Sequence, residues 1–383
     1  MPSLILYIGL FMIVALLLNR YNNLNKKVVL FKISVNKNIS TGELSFVFRS
    51  LLCMLPIILI YGLRDGVGVD YYSYEKIYNT LHGAKFNTYF SLHLLNRGYY
   101  YVEIGYYFLN RLANNYHVLL TIEIVVIFIA VIIALKDYRG KMNIGLAVFV
   151  FLSTQFIYSM NAARFSVALA FVLLSYKYII KEDLIRFIIC MIIAACFHKT
   201  ALFCVALYFL QEFNLSYINK VRNMLMMIAI LFFPFISQYL FDTFKELSVF
   251  ARYFSSTRYA SSEVMDIGIG WMLHILPVII PLLIFGWRYI KDSKENRTLF
   301  RIYLMNIPFR MLGLYNTWYT RFARYSQAVE VLFIPLVLYR IPSKKVKKYL
   351  TIYYIVWYTF YFCYYAIVND NGASLSYSWI LSR

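Results

Sequence analysis

Apolar runs recur along the whole chain, near residues 3–18, 46–63, 117–135, 144–160, 165–180, 184–197, 200–212, 223–241, 268–286, 299–316, 324–340 and 349–367. No soluble core absorbs so many, whereas about 20 mostly apolar residues in helical form cross the hydrocarbon layer of a bilayer. Composition agrees: 61% of residues are hydrophobic and 15% charged, against roughly 45–50% and 25% in soluble domains. The pattern predicts an all-α integral membrane protein of about twelve transmembrane helices. The first run has no basic stretch before it and no small-residue cleavage site after it, so it reads as a span rather than a signal peptide. No repeat, linker or low-complexity tract divides the chain. Residues 1–383 therefore read as a single polytopic membrane domain, with a loop and amphipathic helix region at 64–116 and a second loop at 242–267.

A net charge of +20 raises the question of nucleic acid. The basic residues, however, lie between apolar runs rather than in one solvated stripe interleaved with aromatics, which argues against a nucleic-acid partner. Their placement sets orientation instead. Lysines and arginines crowd the segments at 20–37, 136–141, 177–186, 220–222, 288–301 and 340–348. By the positive-inside rule these segments are cytoplasmic, which puts both termini on the extracytoplasmic side. The abundant Tyr (37) and Phe (32) suit the two membrane interfaces. The five cysteines fall in or beside apolar runs without metal-ligand spacing and read as small packing residues. No metal site and no cofactor is expected.

With that topology, several polar residues gather on the outer side although the rule depletes arginine there. They are Arg64, Asp65 and Asp70 of "YGLRDGVGVDYYSY", Glu103 of "VEIGYYFLN", Arg164 of "MNAARFS", His198 and Lys199 of "CFHKTAL", Arg252 and Arg258 of "ARYFSSTRY", and Arg321 and Arg324 of "WYTRFARYSQ". Singly, each has an ordinary reading: Arg64 and Asp65 as a helix-end ion pair, Tyr71, Tyr74 and Tyr78 as one face of an interfacial helix, His198 as a hydrogen-bonded boundary residue. Together they suggest a polar cavity open to the outer leaflet, because charges near a helix end face water or a partner rather than hydrocarbon. Arginine forks match phosphate oxygens in pairs. Carboxylates and a histidine beside them can take a proton from an attacking hydroxyl. These are the parts needed for glycosyl transfer from a lipid-linked pyrophosphate.

Arg64-x3-Gly68-x-Asp70-Tyr71-x2-Tyr74, then Glu103-x-Gly105-Tyr106, Arg164 before a span, Phe197-His198-Lys199-Thr200-Ala201, the pair Arg258-Tyr259, and Arg324 near the penultimate span together resemble the EpsG/Wzy family of bacterial polysaccharide polymerases. The resemblance runs along about residues 46–340, with two departures. The family's Gly-Thr-Asp reads Gly68-Val69-Asp70 here, and Lys199 stands where Ser is frequent. The resemblance implies a GT-C-like, inverting glycosyltransferase of the bacterial inner membrane, with its active site facing the periplasm or outside. It would move a growing glycan from undecaprenyl pyrophosphate onto the non-reducing end of another lipid-linked repeat unit. Partners implied are the undecaprenyl-pyrophosphate-linked oligosaccharide, membrane lipid and a chain-length regulator. On this reading Arg164, Arg252, Arg321 and Arg324 bind pyrophosphate, with Arg258 and Lys199 in reserve. Asp70 or His198 is the acceptor base and Glu103 the next candidate; Arg64 positions Asp70; Tyr71, Tyr74 and Tyr259 contact sugar. A flippase for the same lipid-linked oligosaccharide is the alternative from another class, and an O-antigen ligase differs only in acceptor. A flippase calls for polar groups within the spans and for broken helices. The sequence shows few mid-span charges, Arg49 being the main one.

Overall fold

The computed structural model describes residues 2–28, 41–95, 98–214, 216–246, 270–313, 320–370 and 372–379. Arg252, Arg258, Tyr259 and most of the expected loop at 242–267 lie outside the described residues. Within them every regular element is helical, and one isolated antiparallel bridge joins Arg64 to Trp379. In chain order these are α1 (Pro2–Val28), α2 (Thr41–Gly62), α3 (Tyr71–Leu81), α4 (Phe86–Leu94), α5 (Ile104–Leu112), α6 (Tyr116–Lys136), α7 (Ile144–Asn161), α8 (Ala163–Ile180) and α9 (Leu184–Phe197). A 3₁₀ segment (Lys199–Leu210) precedes α10 (Ser216–Glu246), α11 (Gly270–Lys291), α12 (Lys294–Leu304), α13 (Asn306–Leu312), α14 (Thr320–Gln327), α15 (Glu330–Arg340) and α16 (Lys344–Tyr364).

Seven stretches among the described residues are long and apolar enough to cross a membrane: Pro2–Arg20, Leu44–Gly62, Tyr116–Tyr138, Ile144–Asn161, Ala163–Ile180, Met272–Lys291 and Lys344–Val368. The chain is a multi-pass, all-helical membrane protein. Four of the about twelve expected runs fall outside these seven for physical reasons. The run at 299–316 breaks at Met305 into α12 and α13, because Pro308 has no N–H to give to Leu304. The run at 324–340 breaks between α14 and α15, where the turn tightens into i→i+3 bonds from Val331 to Ala328 and from Leu332 to Val329. At 1.5 Å per residue α9 reaches about 21 Å, and at 2.0 Å the 3₁₀ segment reaches about 24 Å, both short of a ~30 Å hydrocarbon core.

α7 and α8 form the centre. They are 89% and 78% buried, against 33% for the outer spans Leu44–Gly62, Met272–Lys291 and Lys344–Val368. α1, α15 and α16 pack on α7; α6 and α9 pack on α8; α2 packs on α6. The outer helices turn large side chains outward, such as Leu16, Ile185, Ile284 and Val356, as lipid-facing surfaces do.

The bundle has two chemically different ends. One holds the start of α6 and α8, the ends of α2, α7, α9 and α16, and the segment 62–116 between them. The other holds the ends of α6, α8, α11 and α15, tied by Lys181–Asp137 at 2.7 Å, Arg297–Glu212 at 3.1 Å, Arg340–Glu295 at 3.6 Å and the Arg301–Glu212 and Lys294–Glu182 pairs. Every described outer-side candidate of the sequence lies at the first end, and the described cytoplasmic-type basic segments at 136–141, 177–186, 220–222, 288–301 and 340–348 lie at the second. In a variant lacking the native cysteines, cysteine at exposed Ser73 is therefore expected to react with an impermeant thiol reagent on intact cells. Cysteine at Asp292, 63% exposed along its side chain at the basic end, is expected to react only after permeabilisation; labelling in the reverse sense would contradict the arrangement.

Candidate active site at one end of the bundle

The turn between α7 and α8 is the centre of this end. A single residue, Ala162, reverses the chain between two buried helices. The helix ends thereby expose carbonyls and side chains that neighbouring segments bind. Ser159 O accepts from Tyr61 Oη at 2.8 Å, and Met160 O accepts from Arg64 Nη2 at 3.4 Å. Asn161 Oδ1 accepts the Val69 N–H at 2.7 Å, while its amide donates to Asp370. Val69 can approach because Gly68 adopts φ +107, and a Cβ there would lie 2.8 Å from Asn161 Oδ1. The glycines of "YGLRDGVGVDYYSY" thus lay the loop after α2 onto the α7–α8 turn.

Arg64 is fully buried. Besides Met160 O it donates to Tyr61 O at 3.3 Å, and its guanidinium lies 3.9 Å from the Tyr61 ring centroid. The expected fork onto Asp70 is replaced by these carbonyls, which the helix ends leave unsatisfied. Asp70 is exposed at the start of α3. Tyr71 and Tyr74 are buried: Tyr71 packs edge-on against Tyr116 and donates to Asp65, and Tyr74 packs against Tyr106. Their rings meet other tyrosines, so the sugar-stacking surface expected of them is covered.

Three segments meet around Glu103. Its carboxylate accepts from Arg164 Nη1 at 2.6 Å and from the Lys199 N–H at 3.3 Å, joining the start of α5 to α8 and to the 3₁₀ segment. Gly105 allows the approach, since a Cβ there would lie 2.7 Å from Cys196 O. Arg164 also faces Tyr74, whose hydroxyl feels the Asp70 charge, so Asp70 belongs to the same neighbourhood. Beside Glu103 a pocket of about 460 Å³, lined by Tyr89, Phe90, His93, Ile192 and Leu202 among others, opens sideways between α4, α9 and the 3₁₀ segment.

His198 sits where α9 ends. Its Nδ1 is 2.6 Å from Thr200 Oγ1, which in turn is 3.1 Å from Tyr325 Oη, and Phe165 packs edge-on against its ring. Burial first, then the Arg321, Arg164 and Lys199 charges, hold the imidazole well below its ordinary 6.5. It is neutral at physiological pH.

A second group lies across Tyr158. The Arg324 guanidinium is 3.7 Å from the Tyr158 centroid and 4.9 Å from that of Tyr365, and its Nη1 is buried without a hydrogen-bond partner. Arg310 donates to Asn306 Oδ1 at 2.8 Å and to Gln327 Oε1 at 2.9 Å. Arg310 and Arg324 repel each other, and His274 feels both. Sequence reading missed Arg310 and His274. A charge inside the apolar run 299–316 was the available signal, since ionisable residues within spans are functional candidates by default. It also missed the buried acids Glu123 and Glu330, which accept from Tyr106 and Tyr358, both at 2.7 Å. These acids correct the expectation that the spans hold few charges.

The model of the EpsG family matches residues 47–379. The chain belongs to the EpsG family. The match runs past the resemblance in the sequence to include the C-terminal segment, where Ser378 bonds Asp65, Ser374 O receives the Tyr7 hydroxyl at 3.0 Å, and Asp370 holds Asn161. That segment closes the site end, so family membership and packing cover the same residues. No curated protein and no solved structure matches the chain.

Two outcomes follow from this geometry. Glu103 and Arg164 have only 14% and 15% of their side chains exposed, so Glu103→Gln or Arg164→Gln alone, each leaving a mostly buried charge unpaired, should destabilise by about 3 kcal/mol. The double variant should recover a large part of that loss in a thermal unfolding cycle; additive losses would refute the pair. For His198 the lowered folded value means the unfolded chain takes up a proton that the folded chain refuses. Stability from this group is therefore present above about pH 6.5 and lost as pH falls below it. His198→Gln should show a smaller drop in melting temperature between pH 7 and pH 5 than the wild type, and equal drops would count against the assignment.

Proposed function

We propose that this protein is a polysaccharide polymerase: an inverting glycosyltransferase that moves a glycan chain from undecaprenyl pyrophosphate to the non-reducing end of another lipid-linked repeat unit. The observation that carries the reading is the meeting of Glu103, Arg164, Lys199, His198 and Asp70 from four separate segments at the end of the bundle opposite the basic one. Family membership supports it. On this reading the chain has a GT-C-like architecture and crosses the membrane about twelve times. Some crossings would use paired short helices, both termini would be extracytoplasmic, and the site would face the periplasm or the outside.

In the proposed step the acceptor hydroxyl oxygen attacks the anomeric carbon of the donor glycan. The new C–O bond forms as the bond from that carbon to the pyrophosphate oxygen breaks, and the electron pair leaves with the lipid pyrophosphate. The hydroxyl proton passes to a base. Asp70, exposed and close to Tyr74, is the group a hydroxyl can reach directly. His198 is enclosed, and its low proton affinity makes it a weak acceptor, so it serves better to hold Thr200 and the ring packing of Phe165 and Tyr325. Cations nearby favour the leaving group most strongly where water is excluded. Arg321 and Lys199 flank His198, and Arg324 stands behind Tyr158. A lipid-linked oligosaccharide flippase is the second reading, favoured by the broken α12–α13 and α14–α15 pairs.

Deleting the gene should collapse the surface-polysaccharide ladder to a single repeat unit. Loss of even that unit would point to flipping or earlier assembly. Asp70→Asn should reproduce the collapse with normal protein levels, losing about 10²–10⁴-fold in rate, while a full ladder would exclude Asp70 as the base.

A further inference from the structure

Two nine-residue helices at the site end, α4 and α5, each present three faces instead of two. On α4, Tyr89 is buried, Asn87, Thr88 and Ser91 are polar and exposed, and Phe86, Phe90 and Leu94 are apolar and exposed at i, i+4, i+8. α5 repeats the pattern, with Tyr106 and Tyr107 inward, Arg111 exposed, and Ile104, Phe108 and Leu112 apolar and exposed at the same spacing. The Phe86 ring stacks on those of Phe90 and Phe108, with centroids 6.0 and 6.1 Å apart, so the two stripes form one surface. A helix lying between protein and water has one apolar face, the one it buries. A second apolar face beside a polar one fits a helix in the membrane plane, with hydrocarbon on one side and water on the other. On α3, by contrast, the tyrosines 71, 74 and 78 expected to form such a face are turned inward.

Neighbouring elements fix the depth of this pair. The Tyr106 hydroxyl meets Glu123 at 2.7 Å, about two turns or ~10 Å inside α6, whose first residue Tyr116 begins a membrane-long span. α5 therefore lies beside the body of a span and not above its end. A second argument comes from α9 and the 3₁₀ segment, which fall short of a ~30 Å hydrocarbon core by about 6–9 Å. Both are pinned at the basic end, where Glu182 pairs with Lys294 and Leu210 O accepts from Arg301 at 2.7 Å. The shortfall thus falls at the site end. There the Lys199 N–H meets Glu103, and a Cβ on Gly105 would lie 2.7 Å from Cys196 O, so α5 rests directly on the short pair. One helix laid flat is about 10 Å thick, which fills the missing layer.

Backbone polar groups at such a depth need partners within the protein. The connections around α4 and α5 supply them from side chains. Tyr107 Oη donates to Ala84 O, Tyr89 Oη to Val102 O and His93 Nδ1 to Tyr100 O, each at 2.9 Å, and Tyr78 Oη donates to Ala113 O at 3.2 Å. Loop carbonyls facing water need no such caps. We infer that α4 and α5 lie in the plane of the membrane leaflet at the site end, over the short α9–3₁₀ pair, with lipid acyl chains against Phe86, Phe90, Leu94, Phe108 and Leu112. On the orientation proposed above this is the outer leaflet. The surface continues the lipid-facing stripe Ile185, Ile189 and Ile192 of α9, because Ile192 and Ile104 both edge the pocket of about 460 Å³ beside Glu103. That pocket then opens onto the leaflet. Glu103, the residue before α5, is held at headgroup depth, and a group carried on a lipid reaches it sideways.

The test places a nitroxide on single cysteines of the full chain, otherwise cysteine-free, in phosphatidylcholine vesicles. Collision is measured with oxygen, which concentrates in hydrocarbon, and with a nickel chelate, which stays in water. Phe108→Cys and Leu112→Cys should give the oxygen-to-chelate ratio of Ile189→Cys on the lipid side of α9. Asn87→Cys and Ser91→Cys, on the polar face of α4, should give a much lower one. A ratio at Phe108 and Leu112 equal to that at Ser91 would place the pair in water and overturn the inference. Weak collision with both reagents would mean that a second copy or another protein covers the face, and would overturn it equally. If the cysteine-free chain does not fold, the unaltered chain decides. Phosphatidylcholine carrying a diazirine on its acyl chain should then label peptides spanning 86–94 and 104–112, and labelling confined to the long spans would contradict the placement. No glycan enters either measurement, so the outcome is independent of the polymerase reading.

Discussion

The site end depends on the one-residue reversal at Ala162. Two helices that are almost entirely buried cannot end in a bilayer-facing bundle without finding partners for their terminal carbonyls and amides. Here the partners come from distant parts of the chain: Tyr61 and Arg64 from the end of α2, Val69 from the glycine loop, Asp370 from the C-terminal segment. Satisfying the turn therefore gathers the loops. Arg164 and Tyr158, one on each side of the reversal, then face Glu103 on one flank and Arg324 on the other. Packing and site geometry are consequences of the same short connection.

The charges at the two ends are managed differently. At the basic end two described acids are shared among cations, Glu212 among Arg222, Arg297 and Arg301 and Asp137 between Lys177 and Lys181, and the carbonyls of Leu210 and Gln211 take further guanidinium donors. That is a closed arrangement, with the 3₁₀ segment capped by arginines. At the site end Glu103 and Arg164 are matched, whereas Arg310 and Arg324 form no ion pair with a carboxylate among the described residues. Natural proteins tolerate such destabilising arrangements where binding repays them, and the asymmetry between the ends is the physical ground for placing chemistry at one of them.

Much of this was legible in the sequence. Apolar runs gave the helices, and alternation of runs with basic segments put Asp70, Glu103, Arg164, His198 and Lys199 at one end before any contact was known. Two kinds of information were not legible. Helix breaks at Met305 and at Ala328–Val329 depend on one missing N–H and on local tightening, which leave the hydropathy of the runs 299–316 and 324–340 unchanged. Partner choice was also hidden. Arg64 beside Asp65 and near Asp70 reads as an ion pair, but carbonyls left open by the α7 terminus compete for it and win because they are buried beside it. Arg310 was overlooked for a related reason, since an arginine in an apolar run looks like a loop charge until the helix around it is seen to stop.

The central claim is that groups gathered around the α7–α8 turn transfer a glycan and release its lipid pyrophosphate. Its most direct test is a reconstituted reaction with the purified protein and a lipid-linked repeat unit in vesicles, measuring chain length and free polyprenyl pyrophosphate together. The account predicts one lipid pyrophosphate released for each repeat joined, with both signals lost in Asp70→Asn. Movement of the lipid-linked unit across the bilayer without elongation, or elongation without release of lipid pyrophosphate, would contradict it.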